Sequence, residues 1–143
     1  SLLYTSIVRP TLEYAAPVWS PWLKKDIDLL EKTQARCLKL AKEVFPLESL
    51  EQRRQKNDLV ETFKYQTGQY KTPKETLFTY PKRDLRGHSM KLAKKQVTTD
   101  PAKYFFSKRV VDNWNSLPQD IIDSRGHKNF KKSLRSLPQS SEG

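Results

Sequence analysis

Lys25, Lys32, Arg36 and Lys39 are separated by seven, four and three positions, which on a helix places all four on one face. A row of ammonium and guanidinium groups at that spacing suits the holding of a polyanion, most simply the phosphates of a nucleic acid. Lys32 and Arg36 stand four apart and repel each other by about 0.2–0.5 kcal/mol, a cost that phosphate contacts would offset. The alternative is an ordinary solvated face, with Asp28 pairing with Lys32 and Glu43 lying near Lys39. Arg53 and Arg54 add basic ground, as do Lys82, Arg83, Arg86, Lys91, Lys94 and Lys95, with Tyr80 and His88 interleaved. There an aromatic ring could stack a base while the cations hold phosphates, although basic loops also serve solubility alone. Nucleic-acid contact is therefore expected at Lys25, Lys32, Arg36, Lys39, Arg53, Arg54, Arg83, Arg86 and Lys91.

Bond-making chemistry is poorly supplied. Cys37 is the single cysteine, so no internal disulfide forms, and with only His88 and His127 beside it no metal-ligand spacing exists. Both histidines are expected at the surface, and Cys37 falls on an apolar stripe as a buried, inert thiol. No phosphate loop, dinucleotide fingerprint or zinc-protease helix is present, and the carboxylates do not cluster as two-metal chemistry requires. No catalytic residue and no cofactor are expected in this chain. The 27 Lys and Arg outnumber 16 Asp and Glu, a net charge of +11 that gathers polyanions. Only 36% of the 143 residues are hydrophobic, a thin supply for one core. With no apolar run near the length of a membrane span and no signal peptide, an intracellular chain that does not cross a membrane is expected. Ser1 opens the sequence and the single methionine is Met90, so the expectation is a piece of a longer polypeptide.

The elements that would position these groups are mainly α-helical, about five helices around an irregular connector. Leu3, Ile7 and Leu12 have helical spacing, with Pro10 breaking or kinking the helix near Val8 and Arg9. Trp19 and Trp22 sit in a proline-flanked turn, either packing under the first helices or free to stack bases. Ser20 and Pro21 suit the cap and first position of a second helix, which carries Leu23, Ile27, Leu30, Gln34, Cys37, Leu38, Ala41 and Phe45 on one stripe until Pro46. Ser49 and Gln52 form a capping box for a third helix through Leu59, Val60 and Phe63 to about Gly68. Residues 1–70 are thus read as the helical part and 71–100 as the connector, which allows a short β-hairpin near 88–98. Asp100 and Pro101 open a helix with Ala102, Phe106, Val110 and Trp114 on one face, Trp114 as core packing, until Leu117-Pro118. A turn through Ile121 and Ile122 leads to a last helix with Phe130, Leu134 and Leu137, capped by Ser124. Residues 1–137 form one helical region, and 138–143 a disordered tail.

Several stretches carry a family likeness. They are Ser6 to Pro21 (SIVRPTLEYAAPVWSP), Asp28 to Gln34 (DLLEKTQ), Leu50 to Arg54 with Asp58 to Glu61 and Phe63-Lys64, and Arg86 to Ser89 (RGHS). The most specific is Phe105 to Pro118, FFSKRVVDNWNSLP, with its valine pair, Trp-Asn and Leu-Pro in register. With these the chain resembles, over nearly its whole length, the carboxyl-terminal part of non-LTR (LINE-type) retrotransposon reverse transcriptases of the jockey and chicken-repeat group. The connection at Lys42 to Pro46 is shorter than that family's usual one. The resemblance implies a thumb and post-thumb region that holds template and primer through the RNA or DNA backbone. It also implies a catalytic palm upstream, with aspartates and magnesium that this chain lacks, and palm and fingers of the same polypeptide as partners. A nuclear location is implied for the parent, an RNA-directed DNA polymerase. Two rival readings remain: a helical protein-interaction module using Trp19, Trp22 and Phe105, and a decayed element copy without a selected role.

Overall fold

The computed structural model describes residues 4–40, 48–83, 86–96 and 98–137, and these are mainly helical with no strand among them. A π-helical turn over Tyr4–Val8 leads into α1 (Arg9–Glu13), followed by α2 (Ala16–Trp19), α3 (Lys24–Leu40) and α4 (Leu50–Gln66). A 3-10 turn at Lys74–Thr76 precedes α5 (Asp100–Lys103), α6 (Phe106–Asn115), α7 (Gln119–Ile122) and α8 (His127–Ser136). The expected end of the second helix near Phe45, the short connection after it and the 138–143 tail lie outside the described residues. Contacts divide the chain into two compact units, one through Asn57 and one from Asp58 onward.

In the first unit the wide opening turn changes which residue faces inward. Tyr4 is buried and donates its hydroxyl proton to Oε1 of Gln34, while Ile7, expected on the inner stripe, is exposed. Pro10 is accommodated in the first turn of α1, where a missing N–H costs nothing. Glu13 at the end of α1 accepts both arms of the Arg53 guanidinium, and the Glu31 carboxylate accepts the Glu51 N–H at 3.0 Å. Ser20 does not cap the second helix. Its N–H donates to the Ala16 carbonyl at 2.9 Å to close α2, and the Leu23 carbonyl receives the first N–H groups of α3 instead. The Ser49 cap forms as expected, its Oγ accepting the Gln52 N–H at 3.1 Å.

The second unit holds a hydrophobic core of Leu59, Val60 and Phe63 from α4, Phe106, Val110, Val111 and Trp114 from α6, and Phe130 and Leu134 from α8, with Phe78, Leu92, Leu117, Ile121 and Ile122 between them. Phe63 and Phe130 stack with centroids 4.4 Å apart, and Trp114, fully buried, lies 6.0 Å from Phe130. Removing a large core aromatic of this kind costs about 3–5 kcal/mol. Asp58, buried, accepts Nε and Nη2 of Arg109 at 2.7 and 3.0 Å.

The expected helix from Asp100 is broken in two. Tyr104 turns out of helical geometry, Phe105 is extended, and the Phe105 carbonyl starts α6 by accepting the Lys108 and Arg109 N–H groups. Thr99, not Asp100, occupies the cap position of α5. Gly126, not Ser124, precedes α8, at φ 86°, a conformation that favours a residue without a Cβ. Ser124 is spent in the turn closing α7, its N–H donating to Ile121.

No hairpin forms among the described residues of 88–98, because the backbone there pairs with side chains of α6. Asn115 donates Nδ2 to the Leu92 carbonyl at 2.8 Å and accepts the Leu92 N–H at 2.9 Å on Oδ1. Trp114 Nε1 donates to the Met90 carbonyl at 2.7 Å, and the Ala93 N–H to the Thr79 carbonyl at 2.8 Å. Those groups would otherwise have formed the ladder. The connector is irregular, as expected, but its Phe78, His88 and Leu92 are buried.

Candidate nucleic-acid interface

The inward side of α3 is fixed by Gln34, buried against Tyr4, and by half-buried Ile27, Leu30, Cys37 and Leu38. Cys37 is thus only partly covered, not fully buried. That orientation turns Lys25, Lys32, Arg36 and Lys39 outward, and all four are exposed. Among the described residues no carboxylate pairs with any of them, and the expected Asp28–Lys32 pair does not form. At a rise of about 1.5 Å per residue they span about 21 Å of helix, several phosphate steps of a nucleic-acid strand. Leu29, 63% exposed, shares this outer side.

The adjacent arginines of α4 are not available. Arg53 is half-buried and held by Glu13, whose hydrogen bond also raises the guanidinium pKa further. Arg54 is 2% exposed. Successive helical residues point about 100° apart, so Arg53 and Arg54 could not share one outer face, and Arg54 lies four residues from fully buried Leu50. In the connector Arg83 and Arg86 are exposed, whereas Lys91 is half-buried and lies against Gly87. Tyr80 donates its hydroxyl proton to Gln66 at 2.9 Å and carries Lys74 Nζ 5.4 Å above its ring, so it is engaged within the fold.

His88 is buried, contrary to the surface position expected. Its Nε2 lies 2.8 Å from the Trp114 carbonyl and its Nδ1 3.2 Å from the Met90 N–H. This pairing fits the neutral ring with the proton on Nε2, and burial holds its pKa below the usual histidine value. His127 is half-buried at the start of α8. Trp114 is core, as expected, and Trp19 and Trp22 keep 41% and 42% of their surface in solvent.

A second cationic face lies outside the residues expected from the sequence. Lys128, Lys131, Lys132 and Arg135 recur at i, i+3, i+4 and i+7 along α8, with Arg125 just before it; all are exposed, and the helix contains no carboxylate. Phe130 and Leu134 anchor the opposite side in the core. The signal that could have found this face is the spacing itself, which is the complement of the apolar stripe through Phe130 and Leu134.

Among the described residues no three of His, Cys, Asp or Glu gather so as to hold a metal ion, and no helix is long and apolar enough to cross a membrane. What the exposed groups offer is positive charge in rows. Comparison with family models, curated proteins and solved structures returns no match.

Proposed function

We propose that this chain is the thumb and post-thumb portion of a LINE-type reverse transcriptase and grips nucleic-acid backbone without reading sequence. The observation that carries the reading is the exposed row Lys25, Lys32, Arg36 and Lys39 on a helix whose other side is packed. Phosphate contacts of this kind position a strand but do not tell bases apart. The cations of α8 support the same chemistry in the second unit, with exposed Arg83 and Arg86 as further contributors. Catalysis would belong, as the family resemblance implies, to an upstream palm and its magnesium.

The test is the salt dependence of binding to a short duplex by the full chain. The logarithm of affinity should fall linearly with the logarithm of salt, by about 0.9 per phosphate neutralised on DNA. Changing Lys25, Lys32, Arg36 and Lys39 to Gln should flatten the slope by up to about 3.6. An unchanged slope removes the α3 row from the account. The exposure of Trp19, Trp22 and Phe105, the last at 53%, favours a second reading as a protein-interaction module. That reading expects association insensitive to salt and abolished by changing those aromatics to Ser.

A further inference from the structure

The second unit contains a cleft of about 570 Å³ that none of the cationic helix faces uses. Lys74, Lys91, Gln66, Tyr80, Pro81 and Met90 contribute to its wall, and among the described residues no lining side chain is acidic. Gln66 is more than nine-tenths buried; its Oε1 accepts the Tyr80 hydroxyl, and its Nε2 has no acceptor among the described residues. Buried polar groups are nearly always paired, so a spare amide donor on the wall of a cleft calls for a partner. Both ammonium groups have defined supports. Lys74 rests above the Tyr80 ring, and Lys91 occupies the space a Cβ on Gly87 would fill, at a φ of +114° that itself favours glycine.

Two cations and an unused donor select an anion rich in acceptors. The volume falls within the range of small-molecule sites, about 300–1,000 Å³, and exceeds what a bare phosphate fills. Pro81 and Met90 give the remainder an apolar surface suited to a flat ring. We propose that this cleft binds one nucleotide unit, with its phosphate between Lys74 and Lys91, its base against Pro81 and Met90, and a base acceptor meeting the Gln66 amide. A free nucleotide and the phosphorylated end of a strand share this chemistry. The proposal does not depend on the backbone grip: a row of surface charges reads phosphates alone, whereas the cleft requires phosphate and ring together.

The experiment is an NMR titration of the full chain with adenosine 5′-monophosphate, adenosine and inorganic phosphate. The monophosphate should give saturable shifts at Ser89, Met90 and the Gln66 side-chain amide, with adenosine and phosphate each binding at least tenfold more weakly. Lys74→Gln with Lys91→Gln should weaken the monophosphate at least tenfold, and Gln66→Met should do so without touching either cation, each with a dispersed spectrum that certifies folding. A 5′-phosphorylated oligonucleotide that moves the same resonances, where its unphosphorylated twin does not, identifies a strand end as the source. A response to the free monophosphate only identifies a free nucleotide. Adenosine binding as tightly as the monophosphate, shifts only on α3 and α8, no saturable shift, or full affinity in the folded lysine double variant would each overturn the proposal. The salt slope of the α3 variant is independent of every one of these outcomes.

Discussion

Asn115→Ala removes one side chain that does the work of a neighbouring strand. Its amide makes two bonds to the backbone of Leu92, at 2.8 and 2.9 Å, and Leu92 is only 1% exposed. Each bond contributes about 0.5–1.5 kcal/mol net, and a backbone group stranded away from water costs about 1–3 kcal/mol. Partial rehydration of the Leu92 groups and the better helix propensity of Ala, about 0.5 kcal/mol, work in the other direction. The balance is a loss of about 2–3 kcal/mol, a large share of the roughly 5–15 kcal/mol that holds a domain together. Urea unfolding followed by circular dichroism measures it, with Asn113→Ala as the control, since Asn113 is exposed on the same helix and should change stability by less than about 0.5 kcal/mol. Amide exchange at Leu92 should accelerate in the first variant and not in the second. Equal stabilities for the two variants, with Leu92 exchange unchanged, would refute the claim that Asn115 docks the connector.

Burial lowers the pKa of His88, so the unfolded chain takes up its proton at a higher pH than the folded one. The stability contributed by neutral His88 is therefore full above about pH 6.5 and is lost as pH falls below it, by at most about 1.4 kcal/mol per pH unit for one proton; His88→Gln should remove that component of a pH series of urea midpoints. Arg109→Met leaves the Asp58 carboxylate buried without its main cation and should destabilise by about 3–5 kcal/mol, with the double change to Asp58→Leu recovering much of it in thermal melts. Changing Lys128, Lys131, Lys132 and Arg135 to Gln should flatten the salt dependence of duplex binding by up to about 3.6 while leaving the melting transition within a few degrees, because all four are exposed.

Local rules carried the helices. The Ser49 cap needed only neighbours three residues away, and Phe106, Val110 and Trp114 declared their shared face through a period the backbone imposes on any sequence. The outward row on α3 was legible for the same reason: once a helix has an inner stripe, the opposite side follows from its turn angle. The α8 row obeys the same rule and is equally legible.

Other assignments depended on partners far along the chain. Nothing near Asn115 or Trp114 says that their side chains will take the hydrogen bonds of residues 90–92, which is why alternation there read as a strand. Nothing near His88 says that α6 will cover it, and Arg53 lost its freedom to Glu13, forty positions earlier. The sequence by itself determined the helical periodicity, the excess of positive charge and which helix faces could carry it, because these follow from composition and a fixed turn per residue. Tertiary structure alone decided which cations stayed free, which histidine went inside and where a cleft opened, because burial and pairing are set by groups that only folding brings within a few ångströms of one another.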